Sequence, residues 1–248
     1  MTKIKDAFND GKVFIPYITA GYPDIETTEK LILAMAEEGA DLIEIGIPFS
    51  DPTAEGPVIQ NAIETALSQG LTTDDVFDMV ARIREKIDIP LVFMTYANIV
   101  YGYGTERFME KSEQSGIQGL ILPDVPFEEK EEFSQLAHQH DIELISLVSP
   151  TSKERIVKIA QEAEGFVYEV STLGVTGTRK EIIRSANPDV PVAIGFVISG
   201  PDQAAEMGRY ADGVIVGSAI IQLIDEYGKE AEGPVRQFTR DIKAAANR

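Results

Sequence analysis

A glutamate stands in the middle of an apolar stretch early in the chain. In DLIEIGIPFSDPTAEGP, residues 41–57, Glu44 is surrounded by leucine and isoleucine residues that are typical of a buried strand. Because side chains alternate between the two faces of a strand, Leu42, Glu44 and Gly46 share one face, and the isoleucines occupy the other. A carboxyl group in an apolar interior is costly to ionise, so its pKa is expected to rise, as a general acid requires. We therefore interpret Glu44 as a proton carrier; the alternative is a glutamate paired with a lysine or with backbone donors.

A second carboxyl group follows in the loop FSDPTAEGP, which two prolines and a glycine shape. Glu55 lies in this loop, and loops that follow strands often carry catalytic groups. Asp51 precedes Pro52 and is expected to cap a turn. The sequence thus offers one carboxyl group on a strand and another in the loop that follows it.

Other residue types offer less. The chain has no cysteine, which excludes disulfides and thiolate chemistry. Its two histidines, His138 and His140, are two residues apart on a predicted helix, whereas metal ligands on one helix face need a spacing of three or four, so both are expected at the surface. Acid–base chemistry must then come from carboxyl groups, which a tyrosine can assist. Tyr168 in FVYEVS is the candidate, and it is either a core residue or a site residue.

Glycine-bearing turns occur late in the chain, in TLGVTGTR, IGFVISGPDQ and IVGSAIIQLI. Glycine lets backbone N–H groups approach an anion, and Ser218 at the start of AIIQLI resembles a helix N-cap. Together these turns predict a phosphate site built from backbone amides.

The elements that must position these groups repeat along the chain. Eight strand-like runs begin near residues 13, 42, 91, 119, 143, 166, 191 and 213, and amphipathic helical stretches separate them. Strands alternating with helices imply right-handed βαβ units and a parallel sheet. The length of 248 residues is close to the roughly 250 of an eight-fold barrel, so we predict a (β/α)8 TIM barrel, one domain over residues 1–248. A doubly wound sheet is the alternative, but no GxGxxG motif follows the first strand.

Irregularities are expected at defined points of this barrel. The start of the chain is helix-like, and two helical segments lie between strands two and three, which predicts an extra helix. Between strands six and seven only TRKEIIRSANPDV follows the glycines, which predicts a shortened sixth helix of two turns at most and a thinly covered flank.

Charge and hydropathy limit the partners and the cellular location that the sequence allows. Against 22 lysines and arginines stand 41 acidic residues, a formal net charge of −19 that disfavours nucleic acid and anionic membrane surfaces. No secretory h-region and no apolar run of about 20 residues occurs, which predicts a cytoplasmic protein.

Several blocks resemble the tryptophan synthase alpha subunit family: LIEIGIPFSDPTAEGPVIQNA, VFMTYANIVYGYG, GLILPDVPFEE, GVTGTR, GFVISGPDQ and DGVIVGSAII. The resemblance covers nearly the whole chain. It implies retro-aldol cleavage of indole-3-glycerol phosphate to indole and glyceraldehyde 3-phosphate. It also implies a beta subunit partner, as an α2β2 heterotetramer, with pyridoxal phosphate only in that partner and no metal or organic cofactor in this chain.

The resemblance also implies roles for particular residues. Glu44 matches the proton donor and acceptor at indole C3, and Glu55 falls where the family has an aspartate near the indole nitrogen. The phosphate-binding positions match at Gly177, Gly195, Gly217 and Ser218. The partner interface implied by the resemblance lies in FSDPTAEGP and YANIVYGYG, with Asp51, Pro52 and Asn98.

The sequence departs from the family pattern at Glu55, at Thr53, which replaces an aliphatic residue, and at Val197, which replaces a glycine. An extra methylene at Glu55 moves its carboxylate, and Val197 is expected to weaken phosphate binding. Two alternatives to the lyase are therefore kept. One is a catalytically weak barrel that acts as a binding or regulatory partner of a beta subunit, and the other is a different phosphosugar barrel isomerase.

Overall fold

The computed structural model describes residues 3–149, 151–170, 176–195 and 198–247, in which strands and helices alternate. The strands are β1 (Val13–Thr19), β2 (Ile43–Gly46), β3 (Leu91–Met94), β4 (Gly119–Ile121), β5 (Glu143–Leu144), β6 (Ser146–Val148), β7 (Val167–Val170), β8 (Val192–Gly195) and β9 (Gly213–Val216). The α-helices are α1 (Ile25–Glu37), α2 (Pro57–Ser68), α3 (Thr73–Arg84), α4 (Ala97–Tyr103), α5 (Thr105–Ser115), α6 (Glu131–Gln139), α7 (Lys153–Gln161), α8 (Thr176–Ala186), α9 (Pro201–Gly208), α10 (Ser218–Tyr227) and α11 (Glu232–Ala246). Among the described residues, no helix has both the length and the apolar composition needed to cross a bilayer.

All strand pairs are parallel, and the strands form a nearly closed barrel in the order β5-β4-β3-β2-β1-β9-β8-β7-β6. The predicted fifth strand is present as two pieces, because β5 pairs with β4, β6 pairs with β7, and Ile145 separates the two. The predicted (β/α)8 TIM barrel is confirmed, with nine strands instead of eight because of this interruption.

Strand alternation divides the core into an inner and an outer part. Leu42 packs inside the barrel with inward residues from the other strands, such as Val13, Val92 and Ile215. Ile43 and its alternate neighbours pack outward against the helices. The sequence-based assignment of the two faces of β2 is confirmed, so Glu44 shares the interior face with Leu42.

The N-terminal helix and the extra helix after strand two are both present, and the N-terminal helix is short. The N-terminal helix is a 3-10 helix of four residues, Lys5–Phe8, and Ile4 before it is buried in the inner core. The extra helix after strand two is confirmed, since both α2 and α3 lie between β2 and β3. Pro57 begins α2, and a reciprocal capping box of Thr72 and Asp75 begins α3.

The expected length of the sixth helix is wrong. This helix, α8, has 11 residues, about three turns instead of two at most. It begins at Thr176, inside the glycine-bearing segment that was read as loop. Ile183 of α8 is fully buried in a cluster with residues of β7, β8 and α7, so the flank is covered.

Candidate active site

Glu44 lies on β2 between Tyr17 of β1 and Val92 of β3, its partners in strand register. Only 1% of its surface is exposed, and neither carboxyl oxygen has a hydrogen-bond partner among the described residues. Burial, and secondarily the negative charge of Glu55, raise the pKa of Glu44 to about 8. The alternative of a glutamate satisfied by a lysine or by backbone donors has no support in these contacts. The structure thus presents a carboxyl group that is predominantly protonated at neutral pH.

Glu55 is held by a tyrosine that sequence reasoning missed. Tyr96 follows β3 and occupies the N-cap position of α4. Its hydroxyl accepts the backbone N–H groups of Thr53 and Ala54, each at 2.9 Å, and donates to Glu55 Oε2. One phenol therefore fixes both the backbone of the β2–α2 loop, residues 47–56, and the carboxylate that this loop carries.

The surroundings of Tyr96 favour this role. The residue is 2% exposed, and its ring packs against Phe49 with the centroids 5.1 Å apart. Burial and the hydrogen bond to Glu55 raise the pKa of Tyr96 to about 12, so the phenol stays protonated and can donate. Thr53, a departure from the family pattern, contributes its backbone N–H to this arrangement while its side chain is exposed. The family-like block VFMTYANIVYGYG contained Tyr96, but only its position after a strand could have singled it out.

Two further tyrosines line the interior, and glycines make room for them. A side-chain carbon at Gly46 would collide with the ring of Tyr17, and one at Gly195 would collide with the ring of Tyr168. Tyr168, the sequence candidate, packs on the inner cluster and is only partly buried. Tyr17 was missed, although its alternation with Val13 and Ile15 along β1 could have placed it on the inner face.

Both of these phenols stay neutral. Burial is the main cause that raises the pKa of Tyr17 and that of Tyr168 well above the usual range, and the charge of Glu44 adds to both. The hydroxyl of Tyr17 lies 3.3 Å from Thr19 Oγ1. The interior around Glu44 therefore offers hydroxyl groups but no cation among the described residues that face it.

The phosphate candidates lie on one side of the barrel mouth. Gly195 ends β8, Gly217 follows β9, and Gly177 lies in the first turn of α8, after β7. Because β7, β8 and β9 are neighbours in the parallel sheet, these positions meet at the same rim. Val197 lies outside the described residues.

The expectation that Ser218 caps its helix is wrong. Gly217 is the N-cap of α10, and Ser218 is the first helical residue. The carbonyl of Gly217 accepts the N–H groups of Ile220 and Ile221, at 2.9 and 3.1 Å. The first N–H groups of a helix have no intrahelical acceptor, so the amide of Ser218 still suits an anion.

The three predicted interface residues lie close to Glu55 in the fold. Asp51 and Pro52 belong to the β2–α2 loop, and Asn98 lies on α4, two residues after Tyr96. Asp51 and Asn98 are exposed, and the hydroxyl of Ser50 donates to the carboxylate of Asp51 at 2.5 Å. A partner that covers Asp51 and Asn98 would thus cover the two segments that Tyr96 joins.

The histidines lie elsewhere, as expected. His138 pairs with Glu164 and His140 with Glu113, each at 2.7 Å, near the opposite end of the barrel from the catalytic candidates. In the part of the chain that the structure describes, no group of three acidic or histidine side chains has the geometry to hold a metal ion.

A cavity of about 400 Å³ opens at the barrel mouth beside the β2–α2 loop. Its apolar lining includes Ala54, Leu122, Ile145, Leu147 and Val170. Ala54 connects this cavity with the loop that carries Glu55, whereas Glu44, Glu55 and the glycines of the rim are not among the residues that line it.

Comparisons with known proteins place the whole chain in one family. The model of the tryptophan synthase alpha chain family matches residues 4–247. The tryptophan synthase alpha chain of Lacticaseibacillus casei is 43% identical over 256 residues, covering 100% of this chain and 96% of that protein. The alpha chain of Caldanaerobacter subterraneus subsp. tengcongensis is 47% identical over 238 residues, covering 90% of this chain and 91% of that protein.

Solved structures give the same result. Tryptophan synthase from M. tuberculosis in an open form superposes with a TM-score of 0.92 at 32% identity, covering 100% of this chain and 99% of that one. Tryptophan synthase subunit alpha from Legionella pneumophila str. Paris superposes with a TM-score of 0.90 at 37% identity, covering 99% and 98%. Fold and sequence agree, and the chain belongs to the tryptophan synthase alpha chain family.

Proposed function

We propose that this chain cleaves indole-3-glycerol phosphate by a retro-aldol reaction that releases indole and glyceraldehyde 3-phosphate. Membership of the alpha chain family gives it the alpha-subunit role in tryptophan biosynthesis. The observation that carries the cleavage reaction is the buried, unpartnered carboxyl group of Glu44 inside a barrel whose mouth holds a second carboxylate.

The reaction needs three proton-related events. Carbon C3 of the indole must gain a proton, the hydroxyl on the adjoining side-chain carbon must lose one, and the indole nitrogen must be polarised. When the bond between C3 and that carbon breaks, its electron pair returns to the ring and the hydroxyl becomes the aldehyde. A group that gives a proton to C3 and takes one from the hydroxyl is regenerated in each turnover.

The two carboxyl groups suit different parts of this work. Glu44 is protonated below about pH 8 and can deliver a proton to C3. Glu55, as a carboxylate at the mouth, can accept a hydrogen bond from the indole N–H and stabilise positive charge on the nitrogen. Tyr168, which also packs on the inner face of the barrel, would be a third group of the site. Carboxyl groups in different environments are a recurrent way to divide acid and base roles.

The phosphate of the substrate would bind at the rim formed by Gly177, Gly195, Gly217 and Ser218. Loops after the seventh and eighth strands, with a short helix, form the recurrent phosphate site of TIM barrels. Backbone N–H groups and the N-terminus of α10 attract an anion locally, which matters in a chain with a formal net charge of −19. The expectation that Val197 weakens this binding stays a prediction.

The partner would be a beta-type subunit, in an α2β2 assembly, docked on the β2–α2 loop and on α4 through Asp51, Pro52 and Asn98. Tyr101 of α4 is 50% exposed and suits such an interface. Pyridoxal phosphate would then belong to the partner, and this chain would need no cofactor. A cytoplasmic location also stays a prediction.

The test is the release of indole from indole-3-glycerol phosphate by the isolated chain and by the chain with a tryptophan synthase beta subunit. We expect slow release by the chain alone and faster release with the partner, because docking would order the β2–α2 loop. A second candidate, a catalytically weak regulatory partner, is favoured by the glutamate at position 55, where the family has an aspartate. It predicts no indole release by this chain in either condition, together with a gain in the activity of the beta subunit.

A further inference from the structure

A buried ion pair lies directly behind the candidate site. Arg179 Nε, in α8, donates to Glu169 Oε1, on β7, at 2.6 Å. The side chains are 5% and 0% exposed, respectively. Because Tyr168 faces the barrel interior, Glu169 next to it faces outward, between β7 and α8.

This pair is not well explained as a source of stability. Glu169 Oε2 and Arg179 Nη2 have no hydrogen-bond partner among the described residues. Burial raises the pKa of Glu169, although Arg179 opposes this, so desolvation is only partly offset. Replacing such a pair by apolar side chains of similar volume is often neutral or stabilising. The apolar neighbours on this flank, such as Ile183, show that the interface could be packed without charges.

The location of the pair suggests instead that it fixes the position of α8 relative to β7. Glu169 follows Tyr168, which packs on the inner cluster of the barrel, and Arg179 is two residues after Gly177. The contact therefore joins the strand that carries a site tyrosine to the helix turn that carries a phosphate candidate.

The same helix has a second anchor on another element. Lys180 and Arg184 contact Asp212, just before β9, at 3.1 and 2.7 Å. This anchor lies on the side of α8 away from the candidate phosphate rim, because Asp212 precedes β9 and its backbone N–H donates to Val192 O at the start of β8. The Glu169–Arg179 contact is thus the ion pair of α8 that is closest in sequence to Gly177.

We propose that the Glu169–Arg179 ion pair is a positioning device that holds the first turn of α8 against β7, so that the backbone N–H groups around Gly177 meet the substrate phosphate. This inference rests on the proposed function and names residues that act on the site through α8. A directional ion pair fixes the position of a helix, whereas packing of apolar side chains allows the helix to shift slightly. A shift of about 1 Å is enough to weaken a hydrogen bond that depends on position.

The test compares Glu169→Leu, Arg179→Met and the double variant with the parent. Affinity for glycerol 3-phosphate is measured by calorimetry, and thermal stability is measured on the same samples. Each single variant leaves a buried charge without its partner and should be less stable. The double variant should recover most of that stability but bind glycerol 3-phosphate roughly tenfold more weakly than the parent. In steady-state cleavage, its KM should rise by a similar factor while kcat changes less.

Two matched variants complete the design. Arg184→Met removes the exposed contact to Asp212 on the same helix and should leave the affinity unchanged. Arg179→Lys keeps the charge but loses the guanidinium geometry and should fall between the parent and Arg179→Met.

The proposal is overturned if the double variant recovers both stability and parental affinity, because the pair would then have only a structural role. It is also overturned if Arg184→Met weakens phosphate binding as much as the double variant does. Indole release by the parent separates this failure from that of the proposed function. A parent that cleaves substrate, with a double variant of parental affinity and KM, refutes the positioning role alone.

Discussion

Glu44 and Glu55 lie at the same end of the barrel but in different kinds of structure. Glu44 is on β2, between paired strands, with its carboxyl group buried and without a hydrogen-bond partner among the described residues. Glu55 is partly exposed in the β2–α2 loop, where the hydroxyl of Tyr96 donates to its carboxylate. The strand provides desolvation that does not depend on loop position, whereas the loop provides a hydrogen bond that lasts only while the loop is in place.

This difference shows how one barrel can place two carboxyl groups in different environments. Desolvation favours the neutral form of Glu44, and the neighbouring charge of Glu55 adds to that effect. The hydroxyl of Tyr96, in contrast, fixes the position of the Glu55 carboxylate by a hydrogen bond. Variants that change one carboxyl group, or the tyrosine that holds it, should therefore lower turnover to different extents.

The largest effect is expected from Glu44→Gln. The amide keeps the shape of the side chain but cannot donate a proton to C3, so kcat should fall by about 10³ or more. Affinity for glycerol 3-phosphate and the circular dichroism spectrum should match the parent. Indole release is the measurement, and near-parental turnover by this variant would remove Glu44 from the mechanism.

A smaller loss is expected from the loop carboxylate. Glu55→Ala should lower indole release by about 10², because charge on the indole nitrogen is no longer stabilised. Glu55→Asp should retain at least parental activity, since the shorter side chain matches the family residue. Glu64→Ala, an exposed acid on α2, is the control for the loss of one negative charge. If Glu55→Ala equals the parent with and without a beta subunit, the second carboxylate is a bystander and the regulatory alternative gains weight.

A still smaller effect is expected from Tyr96→Phe. The variant removes the acceptor for two backbone N–H groups and the donor to Glu55. Turnover should fall about tenfold, which corresponds to the loss of one or two net hydrogen bonds. Amide hydrogen exchange at Thr53 and Ala54 should become faster. Tyr101→Phe, which removes a hydroxyl that donates to Glu132 on the surface, is the matched control in the isolated chain. Unchanged exchange at both amides would show that Tyr96 does not hold the loop.

The sequence was sufficient for features that repeat or alternate. Eight strand–helix units predicted the barrel, and alternation along LIEIGI placed Glu44 inside it, because both patterns depend only on local periodicity. The interruption at Ile145 left no trace in ELISLV, because Ile145 itself is typical of a strand and no glycine or proline marks the break. The start of α8 was misplaced because glycine is typical of loops, although a helix can begin within such a segment.

The contacts of the site were harder to predict. Tyr96 and Glu55 are 41 residues apart, and their contact depends on how the β2–α2 loop folds back over β3. Glu169 and Arg179 are close in sequence, but their pairing requires α8 to lie behind β7. Residue types alone do not specify such geometry, whereas the buried acid of β2 could be identified because an acid in an apolar strand is unusual.

The most direct test of the account is the protonation state of Glu44. Its side-chain carboxyl carbon can be followed by ¹³C NMR in protein labelled at glutamate, with the signal assigned by its loss in Glu44→Gln. Burial and the charge of Glu55 predict a midpoint near pH 8 in the parent. In Glu55→Gln the midpoint should move to lower pH but stay above the ordinary value of 4.5, because desolvation is the larger cause. A midpoint close to 4.5 in the parent would show that Glu44 is ionised at neutral pH, and it would contradict the division of roles between the two carboxyl groups.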